Sequence, residues 1–222
     1  MTIIWPSGSS ESHVATEKHI EYMRPLVSDD KYRWRSSSKY TLVIYESLDC
    51  KYCRKLNAEI HKNISYLRGK FNLVYRNAPL VDLEPLAEEK SLITECVYRD
   101  AGGDKMFDFI DRVYGDYQIF HRDNIWVKNI AKKIMSTPQS LENCMSDPVQ
   151  KSKIANDIKS LAIDGISSTP SIGIFYGDKL VGRYASGFNG TMRVIQYLAK
   201  FEDNADQFWS DELFEKIQKG KI

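Results

Sequence analysis

Tyr40-Thr-Leu-Val-Ile-Tyr-Glu-Ser-Leu-Asp-Cys50-Lys-Tyr-Cys53, with the residues that follow it to Lys70, decides how the chain is read. Residues 41–45 are rich in β-branched and aromatic side chains, as in a buried central strand, and the run ends in two cysteines separated by two residues. Beyond them Leu56, Ile60, Ile64 and Leu67 recur at helical spacing, with Gly69 as the expected C-cap. A Cys-x-x-Cys pair at a strand-to-helix step puts the first sulfur at a helix N-terminus, where unpaired N–H groups and the macrodipole favour a thiolate. The second lies one turn inside the helix, close enough to close a disulfide with it. The stretch reads as a redox dithiol, with the charge of Lys51 available to stabilise a thiolate.

Outward from this point, residues 71–75 form a second strand, and strand, helix and strand at this spacing predict a parallel βαβ unit with a right-handed crossover. After Pro79 the pattern turns helical. Pro85 suits a first helical position, and Leu86, Leu92, Ile93 and Val97 carry that helix to Gly102-Gly103. Asp104 can cap the next helix, which bears Met106, Phe107, Phe109, Ile110 and Val113. Further helices are expected over 125–135, 138–145 and 147–163, the last closed by Gly165, and these Met and Phe stripes read as core. Strands at 171–176 and 179–184 flank Gly177-Asp178, a hairpin signal, and helices at 191–201 and 206–219 follow.

On the N-terminal side, residues 28–38 read as a polar connection, 13–27 as a short helix and 1–12 as a loose lead-in. The expected organisation is an α/β domain, βαβ…ββα, interrupted by helices. An N-terminal extension covers 1–38, the domain 39–84 and 164–222, and the all-helical insertion 85–163.

Composition excludes several classes. With 31 basic and 30 acidic side chains the net charge is +1, which gives no case for nucleic acid as a partner, and runs such as Lys31-Tyr-Arg-Trp-Arg35 or Lys132-Lys133 read as solvated faces. No apolar run approaches the ~20 residues that span a bilayer. Met1-Thr-Ile-Ile-Trp-Pro6 lacks the basic start and apolar core of a secretory signal, which leaves a cytosolic protein or an exported one in its mature form. Four cysteines and four histidines raise zinc, but only Cys50 and Cys53 are paired at ligand spacing, so no metal and no other cofactor is expected. There is no nucleophile elbow, and Gly102-Gly103 is a turn and not a phosphate loop.

A second half of the site follows the insertion. Ser167-Ser168-Thr169-Pro170 precedes a strand, where proline donates no ladder bond and a cis peptide is cheap. A cis Thr169–Pro170 would offer the Thr169 backbone to an extended substrate strand beside Cys50.

The residues 40–45, Cys50-Lys-Tyr-Cys53, Tyr75-Arg-Asn-Ala-Pro-Leu80, Glu95-Cys96, Asn143-Cys144 and Gly165-Ile-Ser-Ser-Thr-Pro-Ser171 together resemble the DsbA-type thiol–disulfide oxidoreductases of the thioredoxin fold. The resemblance covers roughly 30–198. It implies that Cys50 is the nucleophile forming the mixed disulfide, Cys53 the resolving thiol, and Thr169-Pro170 the cis-proline loop against which substrate docks. It further implies cysteine-containing protein substrates, a membrane quinone-coupled thiol oxidase as recycling partner, a periplasmic or other extracytoplasmic location, and a monomer in preference to a dimer.

Two departures bear on the chemistry. Lys51-Tyr52 stands where the family has a proline-containing pair, and that pair tunes the redox potential. Ile44 stands where the family often has a buried acid; Glu46 and Asp49 lie nearby, but each reads first as a solvated loop carboxylate.

Cys96 and Cys144 have two readings, a pair of inert buried thiols or a disulfide bracing the insertion. Loop entropy would credit the latter with roughly 4 kcal/mol, and a division into one catalytic and one structural pair suits an oxidising compartment. Beside the oxidase stand an isomerase or reductase of the same fold and, from another class, a non-catalytic peptide-binding or chaperone module.

Overall fold

The computed structural model describes residues 23–82, 84, 86–115 and 124–184. Its centre is a five-stranded mixed sheet in the order β1-β3-β2-β4-β5, made by β1 (Lys31–Trp34), β2 (Tyr40–Glu46), β3 (Asn72–Asn77), β4 (Ser171–Tyr176) and β5 (Lys179–Tyr184). β2 is buried at every position and pairs with β3 in parallel, Leu42 opposite Leu73 and Glu46 opposite Asn77. On its other side it pairs antiparallel with β4, Ile44 opposite Ile172, and the hairpin to β5 turns at Gly177, whose φ of 57° suits glycine. The βαβ unit and the returning hairpin thus stand as expected. β2 and β4, far apart in sequence, bring the dithiol and the Thr-Pro loop to the same sheet end.

Between β3 and β4 the chain makes the helical insertion: α3 (Ala87–Gly115), α4 (Ile125–Ile134), α5 (Pro138–Ser146) and α6 (Pro148–Ile163). α3 is broken at Gly102, whose φ of 81° lies outside the helical region, so the Gly102-Gly103 signal marks a kink between two helical halves. α5 and α6 start at prolines behind Thr137 and Asp147, whose side chains accept from Ser140 N and Val149 N. One core joins the insertion to the site: Leu48, Cys50, Cys53 and Tyr75 pack with Ile93, Cys96, Met106, Phe109, Ile110, Leu141 and Ile154. The opposite sheet face holds a second core around Val43, Tyr45, Val74, Leu161, Ile166 and Phe175.

Three local expectations are corrected. The helix after the dithiol does not run to Gly69: α1 (Lys51–Lys62) stops at Asn63, and a single turn, α2 (Ile64–Leu67), follows. The Asn63 side chain donates to the Glu59 carbonyl at 2.8 Å, the local competition with the helix ladder typical of Asn. Residues 28–38 are not merely a connection, because they contain β1, an antiparallel edge strand on β3. Nor is Lys31-Tyr-Arg-Trp-Arg35 a solvated face. Trp34 is buried with its Nε1 donating to the Phe71 carbonyl at 2.6 Å, and the buried Lys31 pairs with Glu95 at 2.8 Å. The strand went unseen because its cations meet carboxylates of the insertion instead of water.

Met23 to Val27 are irregular and strap across the sheet. Arg76 holds the strap, donating to both Asp30 oxygens at 2.8 Å and to the Arg24 and Pro25 carbonyls. The remainder of the expected 13–27 helix, the lead-in 1–12, Pro85 and the helices expected at 191–201 and 206–219 lie outside the described residues.

Candidate active site

β2 ends at Glu46, three residues carry the chain out of the sheet, and Cys50 caps α1. Its backbone is extended, φ −82° and ψ 111°, so its Sγ turns back over the first turn and accepts from the Cys53 N–H at 3.0 Å. Here sulfur takes the place a serine or aspartate oxygen usually has, and the N–H that satisfies the helix end also stabilises a thiolate. Cys50 and Cys53 are both free thiols and both buried. The Cys50 thiol lies 3.3 Å from the Thr169 carbonyl, to which it donates, and the Thr169–Pro170 peptide is cis. The structure therefore brings Cys50, Cys53, Thr169 and Pro170 together.

The two sulfurs differ in character. Cys50 is pulled down to about 7, chiefly by the hydrogen bond from the neighbouring Cys53 thiol, against burial and with help from Thr169 and backbone N–H groups. Cys53 is pushed well above its ordinary value, by burial first and then by the negative charge developing on Cys50 and Glu46. One thiol is ready to ionise near neutrality and its partner is held protonated.

Lys51 and Tyr52, the residues between them, face solvent. The Lys51 ammonium sits 5.0 Å from the centre of the Tyr52 ring. Cys96 and Cys144 lie in the insertion and are bonded to each other, α3 to α5.

Glu46 corrects the reading of a solvated loop carboxylate. It is the last residue of β2 and only 5% exposed, on the same strand face as Leu42 and Ile44. Burial pushes its carboxyl up to about 8, opposed by a hydrogen bond from Tyr114 and by the Arg33 charge. The Tyr114 hydroxyl lies 3.0 Å from Glu46 Oε2 and 3.1 Å from the Ser47 carbonyl. A narrow cleft lined by Arg33, Ile44, Glu46, Asn57, Tyr75 and Phe107 adjoins it. Arg33 is held at the cleft by Asp111, at 2.6 and 2.8 Å, and by Asn57.

Asp49 is corrected likewise, being half-buried and ion-paired with the buried Lys90 of α3. The alternation of Leu42, Ile44 and Glu46 was the available signal for Glu46, because a carboxylate in step with two core residues shares their face. Tyr114 and Arg33 gave no local signal, since only the fold brings them to the site. Among the described residues no group of histidines, cysteines and carboxylates is arranged to hold a metal.

A sequence model of the thioredoxin family matches residues 32–182. A search of curated proteins finds no match. Among solved structures the chain is similar to oxidised BdbD from Bacillus subtilis, with a TM-score of 0.61 at 16% identity over 81% of this chain and 98% of that one. It is similar also to DsbA2 of Pseudomonas aeruginosa, with a TM-score of 0.57 at 20% identity over 80% and 98%. For alpha-DsbA1 of Wolbachia pipientis the TM-score is 0.56 at 18% identity over 92% and 99%. At such identities the likeness is one of fold, a thioredoxin-type sheet with a helical insertion between β3 and β4.

Proposed function

The chain belongs to the thioredoxin family, and from that premise we propose that it is a DsbA-like thiol–disulfide oxidoreductase that introduces disulfides into exported proteins. The observation that carries this reading is the placement of the dithiol: Cys50 Sγ accepts from the Cys53 N–H at the helix N-terminus at 3.0 Å and lies 3.3 Å from the Thr169 carbonyl beside cis Pro170, an arrangement in which Cys50 is lowered to about 7 and buried Cys53 is raised. A substrate thiolate attacks Cys50 Sγ of the Cys50–Cys53 disulfide, forming a mixed disulfide and expelling the Cys53 thiolate, which takes up a proton. A second substrate thiolate then attacks the substrate sulfur of that mixed disulfide and expels Cys50 as a thiolate. Two substrate thiols have lost two electrons and two protons, and the enzyme dithiol has gained the electrons.

In this mechanism Thr169 and Pro170 form the edge on which an extended substrate segment lies, close to the thiol. Glu46, protonated up to about pH 8 and coupled to Cys53, is the group that gives and takes the Cys53 proton. Lys51 and Tyr52 flank the approach. A quinone-coupled membrane thiol oxidase would return the dithiol to the disulfide in an extracytoplasmic compartment. The Cys96–Cys144 bond agrees with such a compartment, because structural disulfides persist where the medium is oxidising.

A reductase or isomerase with Cys50 as the resting thiolate is the second reading, and it draws on the same thiol. A value near 7 stabilises the reduced state less than a strongly acidic nucleophile would. Equilibration against glutathione buffers separates the two. A midpoint between roughly −120 and −200 mV supports the oxidase, and one near about −270 mV moves the protein to the reductases. Replacing Cys50 by Ala addresses the peptide-binding module: promotion of client folding that survives the change removes the redox reading.

A further inference from the structure

We propose that the surface beside Cys50 selects protein substrates carrying a carboxylate next to the reacting cysteine, and that Lys51 and Lys55, set around the Tyr52 ring, make the choice. The inference rests on the thiol–disulfide reading above and names its substrate class.

Lys51, Tyr52 and Lys55 are exposed on the first turn and a half of α1, directly after the nucleophile. Tyr52 is 45% exposed, a large ring open to solvent. The Lys51 ammonium is 5.0 Å from the ring centre and that of Lys55 5.7 Å, so cation–π attraction gathers two flexible cations around one aromatic platform. Among the described residues neither lysine is seen in an ion pair, and the first turn of α1 carries no acidic residue.

The neighbouring carboxylates do not cancel this charge. Asp49 is paired with Lys90, and Glu59 with Lys62 at 2.7 Å. Glu46 is buried and held protonated towards about pH 8, and Glu84, also raised by burial, accepts from the Ser47 hydroxyl. The surface that meets a substrate strand lying between Thr169 and α1 is therefore an aromatic plate with a positive rim. A side-chain carboxylate within one or two residues of the substrate cysteine meets both ammonium groups as its sulfur reaches Cys50. A lysine there meets repulsion.

The experiment uses the oxidised protein and three dithiol peptides, identical except for Glu, Gln or Lys on both sides of the attacking cysteine. Each oxidation rate is divided by that peptide's rate with 2-hydroxyethyl disulfide, an uncharged oxidant, which removes the effect of flanking charge on the thiol itself. At low ionic strength the normalised Glu-to-Lys ratio is expected to be roughly tenfold, shrinking as salt screens it. Lys55→Glu, an exposed change away from the sulfurs, is expected to bring the ratio to about one or below, and Lys51→Glu with Lys55→Glu to invert it. A ratio near one in the wild type, or one unmoved by Lys55→Glu, overturns the proposal. A Gln peptide that is not oxidised at all defeats the underlying redox reading and this inference with it. A Gln peptide oxidised without any ranking by charge defeats the substrate choice alone.

Discussion

Two glutamates, Glu46 and Glu95, are buried to a similar degree, 5% and 2% exposed, and each accompanies a cysteine pair. Glu46 lies under the reactive dithiol, Glu95 beside the bonded Cys96. They titrate in opposite directions. Burial dominates at Glu46, where the near partner is the Tyr114 hydroxyl, and drives the carboxyl up to about 8. At Glu95 burial acts the same way, but Lys31 at 2.8 Å and Lys153 at 2.7 Å outweigh it and hold the carboxyl below its ordinary value. Burial therefore makes neither group functional. A neutral partner leaves a carboxyl able to exchange a proton near neutral pH, whereas two ammonium groups fix it as an anion that ties β1 and α6 to α3.

The insertion side of this comparison is expected to show its effects in stability. Replacing both Cys96 and Cys144 by Ala opens a loop spanning 48 residues and should cost about 4 kcal/mol in denaturant unfolding, with the Cys50–Cys53 midpoint unchanged. A shifted midpoint would show that the two cysteine pairs are not independent. Glu95→Gln comes next. It leaves the ammonium of Lys31, whose side chain is 7% exposed, without its counter-charge, at about 3 kcal/mol. Because the folded Glu95 value is depressed, its contribution is present above the ordinary carboxylate range and lost as pH falls through the folded value. The gap between wild type and Glu95→Gln should therefore close on acidification, and a gap that widens in acid would mean that Glu95 is buried neutral after all.

Much of this division was legible in the residues themselves. Thr41 to Tyr45, the Cys-x-x-Cys step and Ser167 to Pro170 name the sheet centre and the two halves of the site, because strand composition and thiol placement are local properties. Glu46 was visible but assigned to solvent, although it continues the alternation of Leu42 and Ile44. β1 was missed for a different reason. Its Lys31 and Arg33 look solvated until Glu95 and Asp111, 64 and 78 residues further on, are brought against them. Tyr114 could not be assigned at all, since its hydroxyl reaches Glu46 only through the packing of α3 on the sheet.

On the dithiol side the expected effects are smaller and appear in pH dependence. Glu46 titrates at about 8 folded against an ordinary 4.5, so between these values the folded state holds a proton the unfolded state has released. Its contribution to stability is full below the lower value and lost as pH rises through the upper. Glu46→Gln does not titrate, so its stability relative to wild type should rise by about 2 kcal/mol between about pH 5.5 and about pH 7. Expulsion of Cys53 by an attacking substrate thiolate should slow by roughly tenfold or more below about pH 8 once this proton donor is gone. A flat stability difference over this range would put Glu46 in the same class as Glu95.

Tyr114→Phe is the finest test, because it changes only the partner of the raised carboxyl. The Tyr114 hydroxyl donates to Glu46 Oε2 at 3.0 Å and so favours the ionised form. Its removal should cost about 1 kcal/mol of stability and move Glu46 upward by somewhat less than about one pH unit. The infrared carbonyl band of the protonated carboxyl would then persist to higher pH than in wild type. A downward movement would mean that protonated Glu46 is the donor and Tyr114 the acceptor. In that case the hydroxyl, and not burial alone, keeps the proton beside Cys53, and the contrast with Glu95 would come down to which atom of the hydrogen bond carries the hydrogen.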